Sequence, residues 1–348
     1  MRVPVGLHLD YVSLAEYEAA RWADVLGVAA FRATPLNGSG ANGIPVAQVQ
    51  TPLLRGDGGV FEVWRGNEPA ASGQKNHVHF RRTENMLFGC IAIDEAGVAL
   101  ERANGHTRSA LHEATAQIYR EICATLDAER YPHLLRVWNY VPDINGDSRG
   151  TERYREFNRA RQQALRAGGR KLTRQVPAAS ALGAAGTGPL LVYFLAGRTQ
   201  PVFVENPRQV SAYHYPRQYG THPPVFSRAT LLREAESVTL FVSGTASIVG
   251  HRSMHVGDIT AQTRETLTNI EALLAEANRV AHGAHFSLDD LAFKVYVRRP
   301  ADLPVIQGEL TSALGAHAQT LYLQADICRQ DLLVEIEAAG MRPLRSAA

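Results

Sequence analysis

The sequence predicts an α+β fold built from two tandem copies of one unit, with mixed sheets that carry their helices on one face. Three observations predict it. Five elements (strand, long helix, strand, second helix, closing strand) recur in one order in both halves of the 348 residues, and a repeated unit fixes architecture better than local propensity does. Apolar residues at Leu267, Ile270, Leu273, Leu274 and Ala277 follow helical spacing, the sign of a helix with one buried face. A composition with 45% hydrophobic and 20% charged residues supplies a packed core, and a prior of roughly 150 residues per domain favours two domains.

In the first half the elements are a strand at 86–90, a helix at 106–126, a strand at 134–140, a helix from Tyr154 to residue 167 and a closing strand at 190–197. In the second half they are a strand at 239–244, a helix at 258–280, a strand at 292–297, a helix at 303–314 and a strand pair within 320–338. Ala116-Gln117 echoes Ala261-Gln262, and the offsets, 153 from Leu87 to Leu240 and 142 from Tyr193 to Glu335, agree once shorter loops are allowed. Two generic strand-helix-strand patterns also look alike by chance, but five elements in one order argue for duplication. The boundary falls between Gly197 and Arg198, giving units at 1–197 and 198–348. Each copy then lays its helices on one sheet face and turns the other face to its twin, which brings the closing strands to a shared interface where clefts form.

The last strand, Leu332-Leu333-Val334-Glu335-Ile336-Glu337-Ala338, carries the candidate chemistry. Alternate side chains share a face, so Glu335 and Glu337 point with Leu333 and away from Val334 and Ile336. A carboxyl group taken out of water resists ionisation, holds a proton near neutral pH and becomes a general acid. The alternative is an edge strand with both glutamates in solvent. The first copy has Tyr193, a far weaker acid, at the position of Glu335, so only one of the two quasi-equivalent clefts has a donor.

Other features narrow the function. A net charge of +2 is too small a bias to imply nucleic acid and is compatible with a small anionic substrate. Cys90, Cys123 and Cys328 are an odd, widely spaced set, which argues against a disulfide framework and for a reducing cytoplasm. The N-terminal residues lack the apolar run of a signal peptide, and no stretch is long enough to cross a bilayer. The glycine-rich 37–43 stretch lacks a following Gly-Lys-Ser/Thr, so it is no phosphate loop. His77 and His79 alternate on a predicted strand without a third ligand at a supporting spacing, so no metal site is expected. His282 and His285 follow a helix end, where a cation suits the dipole. Residues 178–188, rich in Ala and Gly, read as a loop or weak strand.

The second half resembles the YjgF/RidA-like (chorismate-mutase-like) fold in Phe241-Val242-Ser243-Gly244, Gly257-Asp258-Ile259-Thr260-Ala261-Gln262-Thr263 and Val334-Glu335-Ile336-Glu337-Ala338. It departs from that family at Thr320, where a carboxylate-binding arginine is expected, which argues against imine hydrolysis. The whole chain resembles the chorismatases. The resemblance runs through Phe31-Arg32-Ala33-Thr34-Pro35-Leu36-Asn37-Gly38, Arg136-Val137-Trp138-Asn139-Tyr140-Val141-Pro142-Asp143-Ile144-Asn145, Tyr213-His214-Tyr215-Pro216-Arg217-Gln218-Tyr219-Gly220 and Phe226-Ser227-Arg228-Ala229. It implies release of pyruvate from chorismate, with Glu335 as the proton donor. Gly244 and Cys328, the latter seven residues before Glu335, fit the members that make 3-hydroxybenzoate, some of which also release 4-hydroxybenzoate. The resemblance leaves a hydrolase making a dihydroxycyclohexadiene carboxylate, and a non-catalytic sensor on the same scaffold, as alternatives.

Chorismate carries two carboxylates, which arginine's planar fork matches. Arg217, Arg228, Arg298 and Arg161 are the candidates, each with the alternative of lying at the surface. Tyr213 and Tyr219 sit in a Pro- and Gly-punctuated loop, where they either donate a hydroxyl to substrate or pack over the sheet edge. Tyr154 is a further binding candidate. By the resemblance, the backbones of Thr245 and Ala246 hold a carboxylate. Cys328 is either a small core residue or a shaper of the intermediate. Protonating an enol ether needs an acid and water, so no cofactor is expected. The partner is the small-molecule substrate, and the chain is expected to act as a monomer or a homo-oligomer such as a trimer.

Overall fold

The structure, a computed structural model, describes residues 6–18, 21–32, 43–56, 59–100, 102–103, 106–184 and 188–344. Most of the glycine-rich 37–43 stretch and of the 31–38 segment lies outside the described residues. The duplicated unit is present in both halves. In the first, Met86–Ile93 pairs antiparallel with Leu190–Gly197, which pairs antiparallel with His133–Pro142, which pairs parallel with Ala178–Ala184. In the second, Ser237–Ala246, Val334–Pro343, Ala292–Val297 and Thr320–Gln324 follow the same order and the same directions. Residues 178–188 thus include a full strand, the counterpart of Thr320–Gln324. Flanking strands extend these cores to seven- and six-stranded sheets, and Asp326–Ile327 of the second half adds itself to the edge of the first-half sheet.

The helices begin where the chain offers caps. In the first half, α2 (Ala110–Glu129) starts after Ser109, whose hydroxyl accepts the His112 N–H. This is four residues later than the periodicity predicts, because the cap and not the apolar pattern decides where a helix starts. The helix α3 (Arg153–Ala167) follows. In the second half, Asp258 caps α4 (Ile259–Val280) by accepting the Ala261 N–H, and α5 (Leu303–Leu314) ends at Gly315, whose φ of 80° needs a residue without a Cβ. Among the described residues no helix is long and apolar enough to cross a membrane.

A third sheet lies outside the repeat and was not anticipated. His8–Ser13, Val60–Arg65, Val25–Phe31 and Val46–Val49 form it in that spatial order, with α1 (Leu14–Glu18) beside it. The inner faces of all three sheets share one core, in which Phe31 and Trp64 meet Trp138, Tyr193, Phe241 and Tyr296. The helices cover the outer faces, α2 and α3 on one side and α4 and α5 on the other.

Charge also sits at this three-way junction. The Lys294 ammonium pairs with Glu62 of the N-terminal sheet and, at 2.9 Å, with Glu337 of the last strand, and it donates to the Tyr193 hydroxyl at 3.0 Å. Burial works against the lysine's charge, but Glu337 and Glu62 outweigh it and hold the proton on. Removing one partner from such a buried set leaves an uncompensated charge and costs about 3–5 kcal/mol.

Candidate active site

Glu335 lies on the inner face of Val334–Pro343, 4% exposed, opposite Tyr296 on one neighbouring strand and Ala246 on the other. The register with Ser237–Ala246 slips by one residue between Val242 and Thr245. A bulge of this kind re-aims the side chains beside it. The bulge is anchored to the first half, where the Ser243 hydroxyl accepts the Ala179 N–H at 2.9 Å and the Gly244 N–H donates to Ser180 Oγ at 3.1 Å; within the second half the Ser243 hydroxyl donates to the Ser227 carbonyl at 2.6 Å. A Cβ placed on Gly244 would stand 1.9 Å from Glu335 Oε1. The carboxyl group therefore occupies the room that this glycine leaves.

Two glutamates on one face have opposite protonation. Glu337 accepts from Arg136 at 2.7 Å, from Trp138 Nε1 at 2.6 Å and from the Ser180 hydroxyl, besides its pair with Lys294. Burial opposes its charge, yet Lys294 and Arg136 bring its pKa below the ordinary value. Among the described residues Glu335 has no such partners. Burial first, then the negative charge of Glu337, push its pKa up to about 8, against the pull of Arg136, Arg228 and Arg298. It is protonated at neutral pH and its proton is not engaged by the fold.

This group opens on a cavity of about 310 Å³, a size suited to a small ligand. Of the residues singled out from sequence, Glu335, Gly244, Ala246, Cys328, Tyr154, Tyr219 and Arg228 line it. Arg228 is 3% exposed; one nitrogen donates to the Val210 carbonyl and the Tyr215 hydroxyl, both at 2.8 Å, and among the described residues Nε has no partner. Burial, then the charge of Glu335, push the Cys328 thiol up to about 12, so it is a thiol and not a nucleophilic thiolate. The Tyr154 hydroxyl is likewise held protonated by burial and by its proximity to Cys328 and Glu335.

Five candidates lie elsewhere. Tyr213 packs in the first-half core and Arg217 is exposed. Thr245 is buried with its hydroxyl on the Ser243 carbonyl. Arg298 donates to the carbonyls of Leu332, Ile327 and Arg329 and pairs with Asp326 at 2.6 Å, so it ties down the loop that carries Cys328. Arg161 lines a different cleft. Sequence reasoning missed Tyr215, Arg155 and Arg329, which do line the cavity. Tyr215 stood inside the Tyr213–Gly220 motif and Arg329 directly follows Cys328, so both were within reach. The Arg329 guanidinium lies 4.0 Å over the Tyr219 ring, with one terminal nitrogen on the His251 carbonyl and the other, among the described residues, without a partner. A larger cavity of about 1160 Å³ lies between the N-terminal and first-half sheets, and among the described residues no acidic side chain lines it. His77, in a turn and not on a strand, pairs with Glu121, and no group of three metal-ligating side chains occurs among the described residues.

Comparison with known proteins finds related chains. A family model described as chorismatase FkbO/Hyg5-like, N-terminal, matches residues 62–196. A chorismatase of Streptomyces hygroscopicus is 39% identical over 300 residues, covering 85% of this chain and 83% of that protein. A 3-hydroxybenzoate synthase of the same organism is 43% identical over 289 residues, covering 80% and 81%. A crystal structure of a chorismatase superposes with a TM-score of 0.86 at 35% identity, over 97% of this chain and 98% of the other.

Proposed function

The chain belongs to the chorismatase family, and we propose that the Glu335 cavity cleaves chorismate to pyruvate and a hydroxybenzoate, chiefly the 3-isomer. The observation that carries this reading is a buried, protonated, otherwise unengaged carboxyl group at the base of a cavity flanked by two arginines with free donors. Glu335 gives its proton to the terminal vinyl carbon of the enolpyruvyl ether, which becomes an oxocarbenium ion. Water adds to that cation and returns a proton to the Glu335 carboxylate. The resulting hemiketal passes its hydroxyl proton to the ring oxygen as that C–O bond breaks, which forms the keto group of pyruvate. The ring diol then loses its C4 hydroxyl and C3 hydrogen as water to become 3-hydroxybenzoate. Pyruvate and hydroxybenzoate together contain the atoms of chorismate, so no net water is consumed; the hydrolase alternative consumes one.

Arg228 and Arg329 supply donors for the two carboxylates, with Arg155 at the exposed rim. Their positive charge also stabilises the carboxylate that Glu335 becomes as it releases its proton. Gly244 lets that acid lie flat on the strand, and the Cys328 thiol bounds the space in which the ring turns aromatic. The test is incubation with chorismate, pyruvate measured by a coupled lactate dehydrogenase assay and the ring product identified by chromatography against standards. Pyruvate with 3-hydroxybenzoate is expected. A dihydroxycyclohexadiene carboxylate in its place would establish the hydrolase, and absence of pyruvate would overturn the reading.

A further inference from the structure

Behind one wall of the Glu335 cavity lies a smaller cleft of about 200 Å³. The wall is Pro224-Val225-Phe226: Pro224 and Phe226 line the cavity, and Val225 lines the cleft. Helix α3 serves both spaces, with Tyr154 in its first turn on the cavity and Arg161, two turns on, in the cleft. Arg161, Arg170, Lys171 and His133 converge on the cleft, and among the described residues no acidic side chain lines it.

Arg161 is the informative member. The residue is 3% exposed, its guanidinium lies 5.2 Å over the Tyr119 ring, and among the described residues its Nε has no hydrogen-bond partner. Among the described residues no carboxylate pairs with it, whereas neighbouring Arg170 is paired with Asp127. A buried guanidinium without a counter-charge is costly, and an unsatisfied buried group in a cavity wall is a mark of a missing ligand. The cleft is smaller than the cavity beside it, and a planar fork suits a planar carboxylate.

We propose that this cleft is a second anion site, which binds a small carboxylate of the size of pyruvate. The choice of pyruvate rests on the proposed reaction, which releases it on the other side of the wall. The test is direct calorimetric titration of pyruvate, with inorganic phosphate as a second titrant, into the native protein, Arg161→Met and Arg228→Met. Arg161→Met is expected to remove, or weaken at least about tenfold, a pyruvate site that Arg228→Met leaves in place. Loss of all pyruvate binding with Arg228→Met but not with Arg161→Met would place pyruvate in the Glu335 cavity and overturn the proposal. So would no binding to the native protein at about 10 mM, far weaker than a typical metabolite site. Phosphate bound in place of pyruvate would overturn the assignment to a carboxylate. Should Arg161→Met fail to fold, Lys171→Glu at the exposed rim is expected to weaken pyruvate about threefold to tenfold, and unchanged affinity counts against the site. None of these titrations needs turnover, so the cleft and the cleavage reaction succeed or fail separately.

Discussion

The two halves of this molecule share a topology and differ in what their closing strands face. In the first half Met86–Ile93 runs along Leu190–Gly197 without a register shift, and Tyr193 lies buried in a stack, 4.5 Å from the Trp138 ring centre at 15°. Its hydroxyl donates to Glu62 at 3.2 Å and accepts from Lys294. In the second half the corresponding pair is bulged at Ser243 and Gly244, and Glu335 meets empty space in place of a ring. The same sheet is thus a core or a site according to whether its inner-face side chains complete one another. Flat aromatics fill the volume and satisfy their own hydroxyls; a short acid over a glycine does neither.

The sharpest way to break this comparison is to neutralise each residue in turn. Glu335→Gln is expected to lower the rate of pyruvate release by about 10² to 10⁴-fold or more while chorismate still binds, as measured by calorimetry. Tyr193→Phe is expected to keep the native rate and to appear as a lower Tm, from loss of about 1 to 2 kcal/mol of hydrogen bonding. Equal loss of rate in both variants would mean that the first half is not inert.

Arg228→Met comes next, with kcat/KM for chorismate falling about 10²-fold or more because a buried charged donor is truncated. The same substitution at Arg298 is expected to act on thermal stability, since its nitrogens hold backbone carbonyls; a pure KM effect there would return it to the substrate. Gly244→Ala is expected to reduce kcat by about 10 to 100-fold, as small misplacements of a reacting group do, and to raise the share of hydrolysed product. Unchanged kinetics would show that the carboxyl group moves freely.

The mildest effect concerns pH. Protonated Glu335 is the active form, so kcat/KM is expected to be level at neutral pH and to fall as pH rises through about 8. Glu337→Gln removes a neighbouring negative charge and leaves Arg136 and Lys294 less compensated, and both changes favour ionised Glu335. The fall then begins at lower pH. A profile that stays in place would separate the two carboxylates electrostatically.

Much of this arrangement was legible because it is local. The strand Ala292–Val297 and the helix Leu303–Leu314 have the predicted bounds, since a Pro-led start and a glycine end are written in consecutive residues. That Glu335 shares a face with Glu337 and not with Val334 and Ile336 follows from strand alternation alone, whereas the burial of that face came from the structure. The choice among arginines was not legible: Arg228, Arg329, Arg161 and Arg298 are chemically alike, and which carbonyls, rings or cavities come within reach of each is set by segments far away in the chain. The N-terminal sheet escaped notice because it belongs to no repeat.

Sequence alone therefore determined the repeated unit, its order of elements and the sharing of one strand face by Glu335 and Glu337, because periodicity and capping act over a few residues. Tertiary structure alone decided that this acid keeps its proton while Glu337 loses its own. Protonation of a buried carboxyl depends on desolvation and on charges such as Lys294 and Arg136, which only the packing of three sheets brings together.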